Sequence, residues 1–302
     1  ANAVLACIAC DIPVLLEGPP AVGKTSLISV LAQQQLNKDG SHSILERVNN
    51  CDTTSIQDYV GTYLPTSDKS TGSKFIFSKG ALLRAMENGS WFLADEFNLA
   101  DPSVMNMLFP LLEGKGYINH PDTCQKLFAK PGFRFFATQN DSKFSNRFQL
   151  PISLRNRFLE VQVDDFPEEE LADIILRWKL SKQLARKKDI SLSPHHARKI
   201  AQLYHLLIET PMRISLRELI KWYQRLAIVD YIGVGHKDYM LHAIAAVGFN
   251  LLSSKFTHDS QNWKTLRTIF MKCFFPDNRP ENIPTCLDKH NARITRNPKG
   301  VC

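Results

Sequence analysis

The chain has 302 residues, of which 44% are hydrophobic and 22% are charged, a balance that is ordinary for a globular protein and excludes a disordered or fibrous one. No run approaches the ~18 apolar residues that a membrane-spanning helix requires, so no membrane partner is expected. The formal net charge of +7 suggests an anionic partner. Because the basic residues are dispersed, a solvated surface is favoured, and nucleic acid is kept as an alternative partner.

Seven cysteines, an odd number spread along the chain, indicate reduced thiols and hence an intracellular location. We expect Cys7 and Cys10 to be buried structural residues rather than metal ligands. A chain of this length predicts two domains. It begins without Met just before an apolar strand, and we expect it to be a module of a longer protein.

The first predicted strand, Val14–Leu16, is separated from a predicted helix at Thr25–Gln35 by the sequence GPPAVGKT. This stretch fits the P-loop pattern GxxxxGK[ST], in which free backbone N–H groups and a helix N-terminus bind phosphate. Lys24 is expected to reach the β- and γ-phosphates, and the Thr25 hydroxyl to bind Mg²⁺. The predicted nucleotide-binding residues are Gly18, Pro19, Pro20, Ala21, Val22, Gly23, Lys24, Thr25 and Ser26.

Short apolar runs then alternate with amphipathic segments as far as residue 165, which is typical of an α/β fold with a parallel sheet flanked by helices. Turn residues also predict two hairpin insertions, at Ser73–Phe77 and Gly116–Phe128. The other predicted strands are Ile44–Val48, Trp91–Ala94, Phe133–Thr138 and Leu159–Val163, and the other predicted helices are Lys79–Asn88, Pro102–Glu113 and Ser153–Arg157.

Two adjacent acids follow the strand at Trp91–Ala94. In a parallel sheet, the carboxyl end of such a strand lies beside the P-loop. Asp95 is therefore a candidate ligand of the metal, through water, and Glu96 a candidate base that orients or deprotonates the attacking water.

Polar residues also follow the next predicted strand and precede the last one. Asn140 comes at the end of Phe133–Thr138, where a carboxamide can hold the attacking water without adding charge. Arg155 and Arg157 lie on the short helix before the last strand. One of them could act as an arginine finger, which implies that a neighbouring module completes the site.

After residue 165 the pattern becomes helical, which predicts a smaller all-helical domain over 166–254. Pro167 followed by three glutamates is typical of a helix start. The predicted helices are 167–187, 193–208, 215–231 and 237–253, with one more at Trp263–Lys272. Prolines in the last 48 residues lead us to interpret 255–302 as a linker or a partial next unit.

The order of these motifs resembles the AAA+ ATPases. Five stretches are similar to the branch that contains midasin, dynein and the MoxR proteins, and their sequences are most similar to those of the midasins. These stretches are RVNN, IQDYVGTY, DEFNLA, FATQN and RNRFLE. The resemblance covers about residues 10–230. It implies an AAA+ core at 1–165 with two hairpin inserts, and a helical lid.

The resemblance also implies residue roles and partners. Arg157 would be the finger, with Arg155 second, and Arg217 in the lid would sense the nucleotide. The partners would be neighbouring AAA+ modules in a ring and a macromolecular substrate. For a midasin-like chain this substrate would be a ribonucleoprotein and the location the nucleus or nucleolus; otherwise the location would be the cytoplasm. Pre-ribosome remodelling would then be the role.

Two further alternatives stay open. The module could hold ATP as a ring spacer without hydrolysing it, although intact Lys24, Asp95 and Glu96 disfavour this. It could also be a DNA-translocating motor, given the basic charge. A GTPase is disfavoured because no NKxD motif lies in a suitable place.

Overall fold

The computed structural model describes residues 2–35, 43–65, 75–140, 150–178, 192–210, 212, 214–231, 239–257, 260–276, 287 and 294–296. Contacts between residues divide the chain into two compact units, Ala1–Asp165 and Phe166–Cys302. The predicted boundary after residue 165 coincides with this division.

The first unit is an α/β layer structure. Its elements, in chain order, are α1 (Asn2–Ala9), β1 (Val14–Gly18), α2 (Lys24–Gln34), β2 (Leu45–Asn49), α3 (Ile56–Val60), β3 (Gly61–Pro65), β4 (Phe75–Lys79), α4 (Ala81–Asn88), β5 (Trp91–Asp95), a 3-10 turn (Phe97–Leu99), α5 (Pro102–Pro110), a π turn (Leu111–Lys115), β6 (Tyr117–Asn119), β7 (Lys126–Phe128), β8 (Arg134–Asn140), α6 (Ile152–Arg155) and β9 (Leu159–Gln162).

Five of these strands form one parallel sheet in the order β2-β5-β8-β1-β9. Alternate residues of β5 enter the two different apolar layers that cover the sheet. Phe92 packs in the layer that contains residues of α4 and α5, whereas Leu93 packs in the layer that contains residues of α1 and α2. The predicted α/β core, a parallel sheet flanked by helices, is confirmed.

The two predicted insertions are antiparallel hairpins. β3 pairs with β4, and β6 pairs with β7. The rings of Phe77 and His120 lie 5.6 Å apart, so the hairpins contact each other. The helix predicted from Lys79 begins only at Ala81, because Lys79 pairs with Gly61 as the last residue of β4.

Other helix bounds shift by a few residues. The helix predicted over Pro102–Glu113 ends at Pro110 and continues as a π turn, in which Gly114 has a left-handed φ of 77°.

Cys7 is buried as expected, but Cys10 is exposed, because it follows the end of α1 in a turn at the surface.

The second unit is mainly helical. Its elements are α7 (Glu168–Arg177), α8 (Pro194–Ile208), α9 (Leu216–Ile228), β10 (Val229–Tyr231), α10 (Tyr239–Ser253), α11 (Gln261–Phe274) and β11 (Ile294–Arg296), and β10 pairs with β11. Of the helix predicted over 167–187, residues 179–187 lie outside the described residues. The predicted 215–231 helix is shorter, because its last three residues form β10.

The prediction that the helical domain ends near residue 254 is wrong. Trp263, Leu266 and Phe270 of α11 are buried in the same apolar core as Leu171, Leu203 and Trp222. The apolar face of α11 is therefore part of this unit rather than of a linker.

Among the described residues, no helix is both long and apolar enough to cross a bilayer.

Candidate nucleotide-binding site

The loop between β1 and α2 contains two residues with a left-handed backbone conformation. Ala21 and Gly23 have left-handed φ values of 70° and 90°. A Cβ atom on Gly23 would meet no atom within 4 Å, so glycine is favoured there by conformation rather than by space. A Cβ on Gly18 would instead lie 2.1 Å from the carbonyl oxygen of Val163, which leaves no room for a side chain.

Lys24 is 7% exposed, and its ammonium lies at the start of this loop. Nζ donates hydrogen bonds to the carbonyl oxygens of Gly18 at 2.9 Å and Pro19 at 2.7 Å. It also donates to Oδ1 of Asn140 at 3.1 Å. The lysine predicted to bind phosphate and the asparagine predicted to hold the attacking water are thus direct neighbours.

Thr25 contacts the metal-binding candidate at the tip of β5. Its hydroxyl lies 3.0 Å from each carboxylate oxygen of Asp95. The two residues are 70 positions apart in the chain. They meet because the loop that leads to Thr25 leaves the carboxyl end of β1, and Asp95 ends β5, in the same parallel sheet. A hydroxyl and a carboxylate that converge in this way are hard oxygen ligands, which suit Mg²⁺.

Glu96 follows with a left-handed backbone, at φ 51° and ψ 48°. Such a conformation costs a non-glycine residue about 1–3 kcal/mol and is concentrated at functional sites. The Glu96 amide donates to Oγ1 of Thr138 at 3.0 Å, and this same hydroxyl donates to Asp95 Oδ1. Thr138 therefore holds both acids against the end of β8.

Three residues that the motifs did not assign also hold this strand tip. The Asn50 backbone amide and Nδ2 each donate to the Asp95 carbonyl oxygen at 2.9 Å. The buried Tyr59 hydroxyl donates to Asn50 Oδ1 at 2.8 Å, and burial raises the pKa of that phenol. Arg47 pairs with Asp95 Oδ2 at 2.5 Å. Arg47 and Asn50 belong to the RVNN stretch on and just after β2, and Tyr59, in α3, belongs to the IQDYVGTY stretch, so their place in these stretches is the signal that could have identified them.

Arg155, one of the two predicted fingers, is held within the first unit. Its Nη2 donates to Oε2 of Glu17 at 3.1 Å and to Oε2 of Glu160 at 2.6 Å. Gln162 Nε2 donates to the same Glu17 oxygen at 3.0 Å. The Glu160 bond raises the pKa of Arg155. Arg155 thus stabilises the buried carboxylate that immediately precedes the phosphate loop.

Arg157, the other predicted finger, binds elsewhere in the same unit. Nη2 lies 2.6 Å from Glu113 Oε1, and the guanidinium stacks 4.5 Å from the centre of the Phe109 ring. Nη1 also donates to the Ser153 carbonyl oxygen. Hydrogen bonds from Lys115, which has the larger effect, and from Arg157 lower the pKa of Glu113 to about 2.

The remaining predicted residues are placed as follows. In the loop, Val22 is buried, Pro19 and Pro20 are partly exposed, and Ser26 is exposed on the first turn of α2. Arg217 is exposed on α9 in the second unit. The described residues contain no group of three or more His, Cys, Asp or Glu side chains that could form a metal cluster. A metal here would depend on Thr25 and Asp95.

Comparisons with known proteins place the chain in a family. Residues 13–158 match the model of the AAA domain of the dynein-related subfamily. The chain is 34% identical over 284 residues to midasin of Dictyostelium discoideum, and 33% identical over 223 residues to midasin of Giardia intestinalis. These matches cover 92% and 72% of this chain but only 4% of each midasin.

An uncharacterised protein of Staphylococcus saprophyticus is also similar, at 26% identity over 162 residues, which cover 54% of this chain and 59% of that protein. The matched AAA domain model runs from the residue before β1 to the residue before β9 and so includes the phosphate loop, the acidic pair and Asn140. The resemblance to the AAA+ ATPases that the motifs indicated is confirmed. The chain is similar to the midasins, and it belongs to the AAA+ family, in its dynein-related branch.

Proposed function

We propose that this module binds ATP with Mg²⁺ between the phosphate loop and the tip of β5, and that it hydrolyses the ATP there. The observation that carries the proposal is the contact of the Thr25 hydroxyl with both oxygens of Asp95, at 3.0 Å each. It brings the end of the phosphate loop to the acidic pair, so that phosphate and metal ligands share one site.

Each residue then has a distinct task. Lys24 binds the β- and γ-phosphates, and Thr25 and Asp95 hold Mg²⁺, which neutralises charge on the phosphate oxygens. Glu96 accepts a proton from the attacking water, and Asn140 orients this water or the γ-phosphate by a hydrogen bond. The water oxygen forms a bond to the γ-phosphorus while the bond to the β,γ-bridging oxygen breaks, giving ADP and phosphate.

The arginines are assigned to the steps that link modules. Arg157 is the proposed finger, delivered to the site of a neighbouring module, where such a residue is worth about 10³–10⁵ in rate. Its pairing with Glu113 would have to be exchanged for the phosphate of the neighbour. Arg155 is second choice, because Glu17 and Glu160 already engage it. Arg217 is the proposed lid residue that senses the nucleotide.

We further propose that the ATP cycle drives remodelling of a macromolecular assembly. Contacts of the γ-phosphate would link core, lid and neighbouring module, and hydrolysis would release them. The similarity to midasins supports a role within a ring of AAA+ modules. A ribonucleoprotein such as a pre-ribosome is the proposed substrate, and an intracellular, nuclear location the proposed setting.

Glu96→Gln tests the hydrolytic role against the alternative of a spacer that only holds ATP. The substitution keeps size and shape but removes the base, so ATP should stay bound while phosphate release by the protein assembled with its neighbouring modules falls by about 10²–10⁴. Glu87→Gln, at an exposed ion pair with Lys79, is the matched control. Phosphate release that persists in the Glu96 variant would refute the assigned role, and its absence from the unaltered assembly would favour the spacer.

A further inference from the structure

The carboxylate of Asp95 is shared by three neighbours. Thr25 lies 3.0 Å from both of its oxygens, the Thr138 hydroxyl donates to Oδ1, and Arg47 donates to Oδ2 at 2.5 Å. Arg47 brings a full positive charge to the carboxylate that the proposed function assigns to Mg²⁺. No motif gave this arginine a role.

The pairing of strands explains why Arg47 reaches that oxygen. β2 and β5 are parallel neighbours, with Arg47 opposite Leu93 and Asn49 opposite Asp95. Asn50 fixes the main chain of Asp95 through two hydrogen bonds of 2.9 Å. The Asp95 side chain is 13% exposed, whereas that of Arg47 is 44% exposed. The arginine is therefore the partner that can leave without displacing the strand tip.

We propose that Arg47 is a positioning residue that competes with the divalent cation for Asp95, and that it thereby sets the Mg²⁺ concentration at which the site fills. The inference rests on the proposed ATP site. A guanidinium and a divalent cation repel each other when they share one carboxylate, so each weakens the binding of the other. An exposed ion pair contributes little to folding, so Arg47 can be replaced without loss of the fold.

Arg47→Ala tests this with Mn²⁺ as a paramagnetic substitute for Mg²⁺. Free Mn²⁺ is measured by electron paramagnetic resonance while the protein is titrated in the presence of a non-hydrolysable ATP analogue. The concentration of Mn²⁺ at half-saturation should fall about two- to fivefold, the range that corresponds to the energies of exposed ion pairs. Arg47→Lys retains the positive charge and should lower the Mn²⁺ concentration at half-saturation less than Arg47→Ala does.

Arg84→Ala is the matched control. Arg84 has a similarly exposed side chain, at 46%, and pairs with Glu46 rather than with Asp95. The Arg84→Ala substitution should leave the Mn²⁺ concentration at half-saturation unchanged. An unchanged or raised value in Arg47→Ala, or an equal fall in Arg84→Ala, would overturn the inference while the ATP site stands. If the unaltered protein binds neither the analogue nor Mn²⁺ with it, the proposed function itself fails.

Discussion

Nζ of Lys24 donates a hydrogen bond to Oδ1 of Asn140 at 3.1 Å, and so joins the phosphate loop to the end of β8. The lysine is buried, and it also donates to the main-chain carbonyl oxygens of Gly18 and Pro19. A single ammonium group thus connects the two segments proposed to contact the transferred phosphoryl group.

Lys24→Ala should weaken ATP binding by at least about tenfold, and up to about a hundredfold. Hydrogen bonds to charged groups contribute about 1.5–3 kcal/mol each, and 1.4 kcal/mol corresponds to a factor of ten. Titration with a fluorescent ATP analogue measures the change. Lys79→Ala removes an exposed lysine that pairs with Glu87 and should leave the affinity unaltered. Equal affinities for the Lys24 variant and the parent would contradict the assignment of the phosphate loop.

Tyr59→Phe should lower the free energy of unfolding by about 1–2 kcal/mol, because it leaves the buried Asn50 Oδ1 without its donor. In an Asn50→Ala background the same change should cost less than about 0.5 kcal/mol, since the partner is already absent. Denaturant unfolding of the four proteins measures this coupling. Additive losses would show that the two side chains act independently.

Glu113→Gln should reduce the loss of stability on acidification. The hydrogen bonds from Lys115 and Arg157 lower the pKa of Glu113 from 4.5 to about 2. A carboxyl whose pKa is lower in the folded state stabilises the fold above its unfolded pKa, and this contribution is lost as the pH falls from about 4.5 towards 2. Denaturant unfolding of the Glu113→Gln variant and the parent protein across this pH range gives the slope of the unfolding free energy against pH. Identical slopes would exclude a contribution from Glu113.

Gly248→Ala should destabilise the second unit by about 1–3 kcal/mol. A Cβ atom at this position would lie 2.1 Å from Cζ2 of Trp222. That indole is 1% exposed and donates from Nε1 to the Ile244 carbonyl oxygen at 3.0 Å, so it cannot easily move. In an unobstructed helix interior, alanine is instead about 1 kcal/mol more favourable than glycine. A thermal scan that showed stabilisation would contradict this packing.

The sequence predicted the parts of the site that are encoded locally. GPPAVGKT lies between a strand and a helix, and Asp95 and Asn140 end two strands of one sheet, so their meeting follows from the general geometry of parallel sheets. The hairpins and the helical character of the second unit were also predictable from turn residues and periodicity.

The unpredicted contacts depend on the order of the strands. Arg47 reaches Asp95 only because β2 is placed beside β5, and Arg155 reaches Glu17 only because β9 lies beside β1. No local pattern specifies those neighbours. Likewise, the periodicity of α11 predicted a helix, but only tertiary packing shows that Trp263 and Phe270 share the core of the second unit.

The strand that carries the phosphate loop is flanked on both sides. β1 pairs with β8 and with β9, and all five of its residues are buried. Its amide protons should accordingly be among the slowest in the first unit to exchange with deuterated solvent. The loop is thereby anchored to a persistent part of the fold, so other segments can fluctuate without displacing the residues proposed to bind a triphosphate.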